Sequence, residues 1–159
     1  MAGVLLEIKN SDAKELEQSF ARLAKTVRHL EPVLKDIGHY LLRSIDQRFD
    51  DEVKPQGGKW DDISKYTKEK KRGRFGEGRI LTDRGRLRRS ITFVTDGNGL
   101  LVGTNVIYAA IHQLGGETGR KGGRFTLPAR PFLGISGKDK EGILQIIADC
   151  MCRAARGRS

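Results

Sequence analysis

Between residues 12 and 51 apolar side chains recur every three or four positions. Leu16, Phe20, Leu23, Val27 and Leu30 form one stripe; Val33, Ile37, Tyr40/Leu41, Ile45 and Phe49 form a second. A repeat near 3.6 residues predicts amphipathic helices that each lay one face on a core. Asp12 with Glu15 three residues on has the form of a helix N-cap and its reciprocal partner. Pro32 suits a first helical turn, where its missing N–H costs nothing. Helices over 12–30 and 32–51 follow, paired as a helical hairpin. Ahead of them, Val4 to Lys9 alternates apolar and polar residues and predicts a short strand.

Beyond residue 52 the elements shorten. Residues 53–59 are turn-rich, and Trp60 to Thr67 begins a short helical or irregular segment. Residues 68–79 and 115–124 are rich in Gly and basic residues and poor in apolar ones, which predicts two mobile surface loops. A short helix is expected over 82–90, with Thr82 or Asp83 as its cap. Ile91 to Thr95 and Leu100 to Thr104 flank Asp96-Gly97-Asn98-Gly99, a strong hairpin signal. Val106 to Gln113 predicts a short apolar helix ended by Gly115-Gly116, and Phe125 to Ala129 a strand. Lys138 or Asp139 starts a last helix that would bury Ile143, Leu144, Ile147, Met151 and Ala155. The tail from 154 to 159 is expected to fray. The predicted class is α+β: a single domain spanning 1–159, with a small, mostly antiparallel sheet packed by long N-terminal helices and a C-terminal helix.

Composition adds limits. At 159 residues and 37% hydrophobic content, the chain supports one core. No apolar run is long enough to span a membrane, and the first residues lack the form of a signal peptide. Cys150 and Cys152 point to opposite sides of a helix and are expected as free thiols. The charge is uneven: residues 68–130 carry +9 of the net +10. Lys68, Lys70, Lys71, Arg72, Arg74 and Arg79 lead into Arg84, Arg86, Arg88 and Arg89; Arg120, Lys121 and Arg124 follow in the second loop. Such a band suits duplex DNA phosphates, an acidic protein neighbour, or plain solvation. Phe75 is its single interleaved aromatic, which argues against a single-strand stacking platform.

Enzymatic signatures are weak. His112 has no second His or Cys at metal-ligand spacing, and a structural imidazole that ties down a loop is the expected reading. Gly73, Gly76 and Gly78 match neither phosphate-loop spacing. Asp50, Asp51, Glu52, Asp61 and Asp62 raise the alternative of a small Mg-dependent nuclease, but no Lys or His falls in register with them. Arg130-Pro131-Phe132-Leu133 is a more useful group. Pro128 and Pro131 block ladder hydrogen bonds and suit a sheet edge. Arg130, Phe132 and Leu133 then serve either a subunit contact or packing beneath the final helix.

Two segments carry a resemblance. Tyr108-Ala-Ala-Ile-His112-Gln113-Leu-Gly115-Gly116 and Leu127-Pro-Ala-Arg130-Pro131-Phe132-Leu133-Gly134 resemble, in that order, the motifs of the phage virion morphogenesis family of tail-completion proteins. Trp60, Thr67, Ile80-Leu81, Gly85-x-Leu87, Ser90-Ile91 and Val102-Gly103-Thr104 fall in the same order, so the resemblance covers about residues 4–148. It implies a non-enzymatic structural protein of the head–tail junction. Such proteins form an oligomeric ring in the virion neck after assembly in the host cytoplasm. It also implies a structural role for Trp60, Tyr108, His112, Gln113 and Gly115, and needs no cofactor. The implied partners are further copies of the chain, portal-side or tail proteins, and genomic double-stranded DNA in the channel. A non-specific DNA-binding protein of phage origin is the alternative.

Overall fold

The computed structural model describes residues 17–22, 24, 30–73, 78–96, 99–119 and 123–156. The expected strand at Val4 to Lys9 lies outside them, as do Arg74, Arg120 and Lys121. Of the first expected helix, residues 17–22 and 24 are described, and they are helical.

Helix α1, Glu31–Asp51, is the spine of the fold. Pro32 sits in its first turn, and it buries Val33, Ile37, Gly38, Leu41, Ile45, Arg48 and Phe49. This is the stripe that the periodicity predicts, with one arginine added. Helix α5, Gly137–Ala155, packs along α1 through Ile143, Ile146 and Cys150, which join Val33, Ile37, Leu41 and Tyr40 in one apolar cluster. The chosen face of α5 differs from the expected one. Leu144, Ile147 and Met151 point outward and are 66%, 37% and 45% exposed. Periodicity allowed two apolar stripes on this helix. The Tyr40 ring lies against Gly142, where no side chain stands in the way, and this contact fits the stripe that contains Ile143 and Ile146.

Two short antiparallel hairpins make up the sheets among the described residues. Strands β1, Thr92–Thr95, and β2, Leu100–Gly103, pair with Phe93 opposite Val102 and Val94 opposite Leu101. The hairpin lies on α1, with the Phe93 ring against Gly38 and edge-on to His39, centroids 5.0 Å apart. A Cβ on Gly38 would come within 2.6 Å of that ring, so the close approach requires glycine. Strands β3, Gly116–Thr118, and β4, Phe125–Leu127, pair from Gly116–Leu127 to Thr118–Phe125. Residues 116–118 of the second expected loop are therefore paired strand.

Two further expectations change. Residues 68–71 belong to helix α2, Lys65–Lys71, where Ser64 Oγ caps the Thr67 N–H. The expected helix over 82–90 shrinks to α3, Arg86–Arg89. Leu81 at φ 54° and Gly85 at φ 70° are left-handed and break the segment on either side of Thr82. Helix α4, Ala109–Leu114, occupies the predicted apolar segment. A second core cluster joins the lower half of α1 to the loops through Ile45, Phe49, Trp60, Ile80, Leu87, Val106, Ala109 and Phe132. The fold is thus α+β: small antiparallel elements packed by α1 and α5.

Candidate functional site

The two motif segments lie side by side, and one side chain staples them. Gln113, near the end of α4, accepts from the backbone N–H groups of Phe132 and Leu133 through Oε1, each at 3.0 Å. Its Nε2 donates to the Leu133 carbonyl at 2.9 Å. One residue earlier, the His112 carbonyl accepts from Arg130 N–H at 2.7 Å. Gly115 then turns the chain at φ 72°. A Cβ there would meet the backbone nitrogen of Ala129 at 2.8 Å, so only glycine fits. Trp60 Nε1 donates to the Pro131 carbonyl at 2.8 Å, with its ring edge-on to Phe49 in the core.

Arg130 and Phe132 turn inward. Phe132 is fully buried, with its ring centroid 5.7 Å from that of Phe49. Arg130 is 4% exposed; its Nε and Nη2 donate to the carbonyls of Asp61 and Asp62 at 2.7 and 2.9 Å. Both side chains pack within the chain, Phe132 on Phe49 of α1 and Arg130 on the Asp61–Asp62 backbone. Pro131 and Leu133 are half-buried beside them.

The basic band divides into two sets. Arg88 grips Asp46 and Asp50 on α1, with Nη2–Oδ2 distances of 2.6 and 2.8 Å, and Arg79 adds a 2.8 Å bond to Asp50. Hydrogen bonds from Arg88 and Arg79 hold the Asp50 carboxyl down to about 2, and the same carboxylates raise Arg88. Lys68 pairs with Asp62, and Lys71 Nζ donates to the Arg79 and Thr82 carbonyls at 2.7 and 2.6 Å. These cations serve packing. Lys70, Arg72, Arg84, Arg86 and Arg89 are exposed and form no ion pair among the described residues. Arg124 lies 3.9 Å from Glu117 across the β3–β4 hairpin. The acids that suggested a nuclease are divided between these contacts: Asp50 is held by two guanidiniums, Asp62 by Lys68, and Glu52 accepts the Ile80 N–H.

The sequence reading missed a cavity of about 800 Å³ between α2, α3 and the joined motifs. Lys71, Arg84, Arg86, His112 and Arg130 line it together with apolar walls from Ile63, Leu87 and Leu127. His112 is half-buried, and its Nδ1 is buried with no hydrogen-bond partner among the described residues. Desolvation, then the charges of Arg130 and Lys71, push its pKa below the ordinary histidine value. The Tyr108 ring stands edge-on to it, centroids 6.0 Å apart. The two cysteines are free thiols, and no described helix is long and apolar enough to cross a membrane.

Residues 11–151 match the phage virion morphogenesis family. Mu-like prophage FluMu G protein 2 of Haemophilus influenzae is 34% identical over 145 residues, covering 91% of this chain and 95% of the relative. FluMu G protein 1 of the same organism is 30% identical and covers 86% and 87%. Protein G of Escherichia phage Mu, whose name links it provisionally to capsid assembly, is 34% identical over 73% of this chain and 76% of its own. No solved structure matches. The matched span contains both stapled motifs, the spine helix and nearly all of α5, and the chain belongs to the phage virion morphogenesis family.

Proposed function

We propose that the chain is a non-enzymatic structural protein of the head–tail junction, present in the virion neck as an oligomeric ring that joins head to tail. Its family supports an assembly role, and the resemblance of its motifs to tail-completion proteins supports the junction. The observation that carries the reading is the separation of rigid and unspent chemistry. The motif residues are consumed in holding one loop frame, while five exposed cations and two short hairpins are left on the surface. Two-stranded sheets have outer edges without ladder partners, and such edges pair readily with a neighbouring chain. The cations then face genomic DNA in the channel or an acidic ring of the neck.

The second reading, a non-specific DNA-binding protein, draws on the same unpaired cations. Sedimentation of the protein with and without duplex DNA separates the two. Assembly into rings on a neck partner without DNA is expected from the first. A small oligomer that gains mass only with DNA, in a salt-sensitive way, would replace it with the second.

A further inference from the structure

The cavity sets cations beside apolar walls. Four cations line it, Lys71, Arg84, Arg86 and Arg130, against two carboxylates, Asp62 and Asp83. Asp62 is already paired with Lys68. The two more buried cations are satisfied by carbonyls alone: Arg130 by Asp61 and Asp62, Lys71 by Arg79 and Thr82. Carboxylates nearby, Asp83 and Glu52 for Lys71 and Asp61 and Asp62 for Arg130, offset part of their charge, so the unspent charge at the cavity is that of Arg84 and Arg86, which favours an anion. The walls between the cations are apolar, through Ile63, Leu81, Leu87 and Leu127. Phe125 and Tyr108 stand at the same cavity with 57% and 41% of their surfaces exposed.

We propose that this cavity docks a segment of a partner protein that presents a carboxylate beside large apolar side chains. The carboxylate meets Arg84 and Arg86, which are exposed and form no ion pair among the described residues. The apolar side chains cover Leu87, Phe125 and Tyr108. The size fits: cavities of roughly 300–1,000 Å³ enclose a compact ligand of a few side chains. A DNA duplex fits poorly, because its phosphates lie on a convex backbone and offer no apolar body to these walls. Peptide docking goes beyond the neck reading and is measured on the isolated chain, so either can fail without the other.

The test is a heteronuclear NMR titration of the full chain with the tetrapeptide acetyl-Leu-Phe-Asp-Leu. The control is the same peptide with Asn for Asp and an amidated end. The expected result is saturable shifts at Leu87, Tyr108 and His112. Neutralising the peptide, or the double change Arg84→Gln with Arg86→Gln, should weaken binding about tenfold. Both arginines are exposed, so the variant's remaining spectrum should be unchanged and report an intact fold. Equal binding of the neutral peptide, or no binding of either, would overturn the proposal. So would displacement of these signals by a 12-base-pair duplex in place of the peptide, which would make the site a nucleic-acid contact. Shifts that grow with protein concentration alone would make the occupant a second copy and equally overturn it.

Discussion

Arg48 and Asp139 form an ion pair in the interior, with 5% and 1% of their surfaces exposed, across 91 residues of sequence. Arg48 also donates to the carbonyls of Phe132 at 3.2 Å and Gly134 at 2.7 Å. Asp139 closes a capping box with Ser136 at the start of α5 and accepts from Ser44. One contact thus joins the spine helix, the second motif segment and the last helix. Both Arg48 Nη atoms and both Asp139 carboxylate oxygens are hydrogen-bonded, which is the condition under which a buried ion pair holds.

Removing one partner leaves a buried charge uncompensated. Arg48→Met or Asp139→Asn should cost about 3–5 kcal/mol, read as a lower urea midpoint at unchanged slope. Burial pushes the Asp139 carboxyl up, but hydrogen bonds from Ser44 and Ser136 and the charge of Arg48 outweigh it, so its pKa lies below the usual carboxylate value. Its contribution is therefore complete above the unfolded value of about 3.9 and is lost as pH falls through the folded one. A loss of less than about 1 kcal/mol in both variants would mean that the pair is not structurally important.

The Gln113 staple gives a second prediction. Gln113→Met fills similar space but leaves the Phe132 and Leu133 N–H groups without their acceptor. The expected loss is about 1–3 kcal/mol for each donor that water does not reach. Gln113→Glu keeps an acceptor but sets a carboxylate oxygen against the Leu133 carbonyl, so it should restore only part of the loss. Thermal unfolding of the three proteins should rank native, Glu, then Met. Indistinguishable melting would show that the motifs are held together by other contacts.

The histidine sets a pH dependence. Burial, Arg130 and Lys71 depress the His112 pKa, so acidification protonates the unfolded chain first. Its stability contribution is complete above the unfolded value of about 6.5 and is lost as pH falls from there toward the folded value. A titration of the His112 ring by NMR should give a midpoint below that of the free side chain. His112→Gln should flatten the stability profile between pH 7 and the native midpoint. A normal or raised midpoint would contradict the placement of the ring.

How much of this was legible depends on range. The α1 stripe was visible because a helix is built from neighbours, and Pro32 marks its start. Arg48 falls three positions after Ile45, on the buried face, yet an arginine in that stripe gives no hint of a carboxylate 91 residues away. The last helix was expected to start at Lys138 or Asp139, but Asp139 occupies the third helical position and Ser136 is the cap. The hairpin at Gly116 was hidden because its pairing with Leu127 is set by tertiary contact, and glycine is a poor local strand signal. The motif residues were legible as a group. Their arrangement as a staple beside a cation-lined cavity required the chain to fold back on itself.

The basic surface yields a fourth prediction. Arg84, Arg86 and Arg89 replaced together by Gln should leave stability within about 0.5 kcal/mol, as is usual for exposed side chains outside ion pairs; Arg89 gives up only an exposed bond to the Arg84 carbonyl. The same substitutions should lower the yield of joined, infectious particles. Arg88→Gln should instead lower stability, because it leaves Asp46 without its ion pair and Asp50 with Arg79 alone. Unchanged infectious titre in the triple variant would mean that these charges are simply solvated.

Position and copy number in the particle are read by cryo-electron microscopy of virions carrying a tagged copy of the chain. Tag density should be confined to the head–tail junction and arranged as a ring of several copies around the DNA channel. One or two copies per particle, or tag density spread over the capsid shell, would contradict the proposed ring.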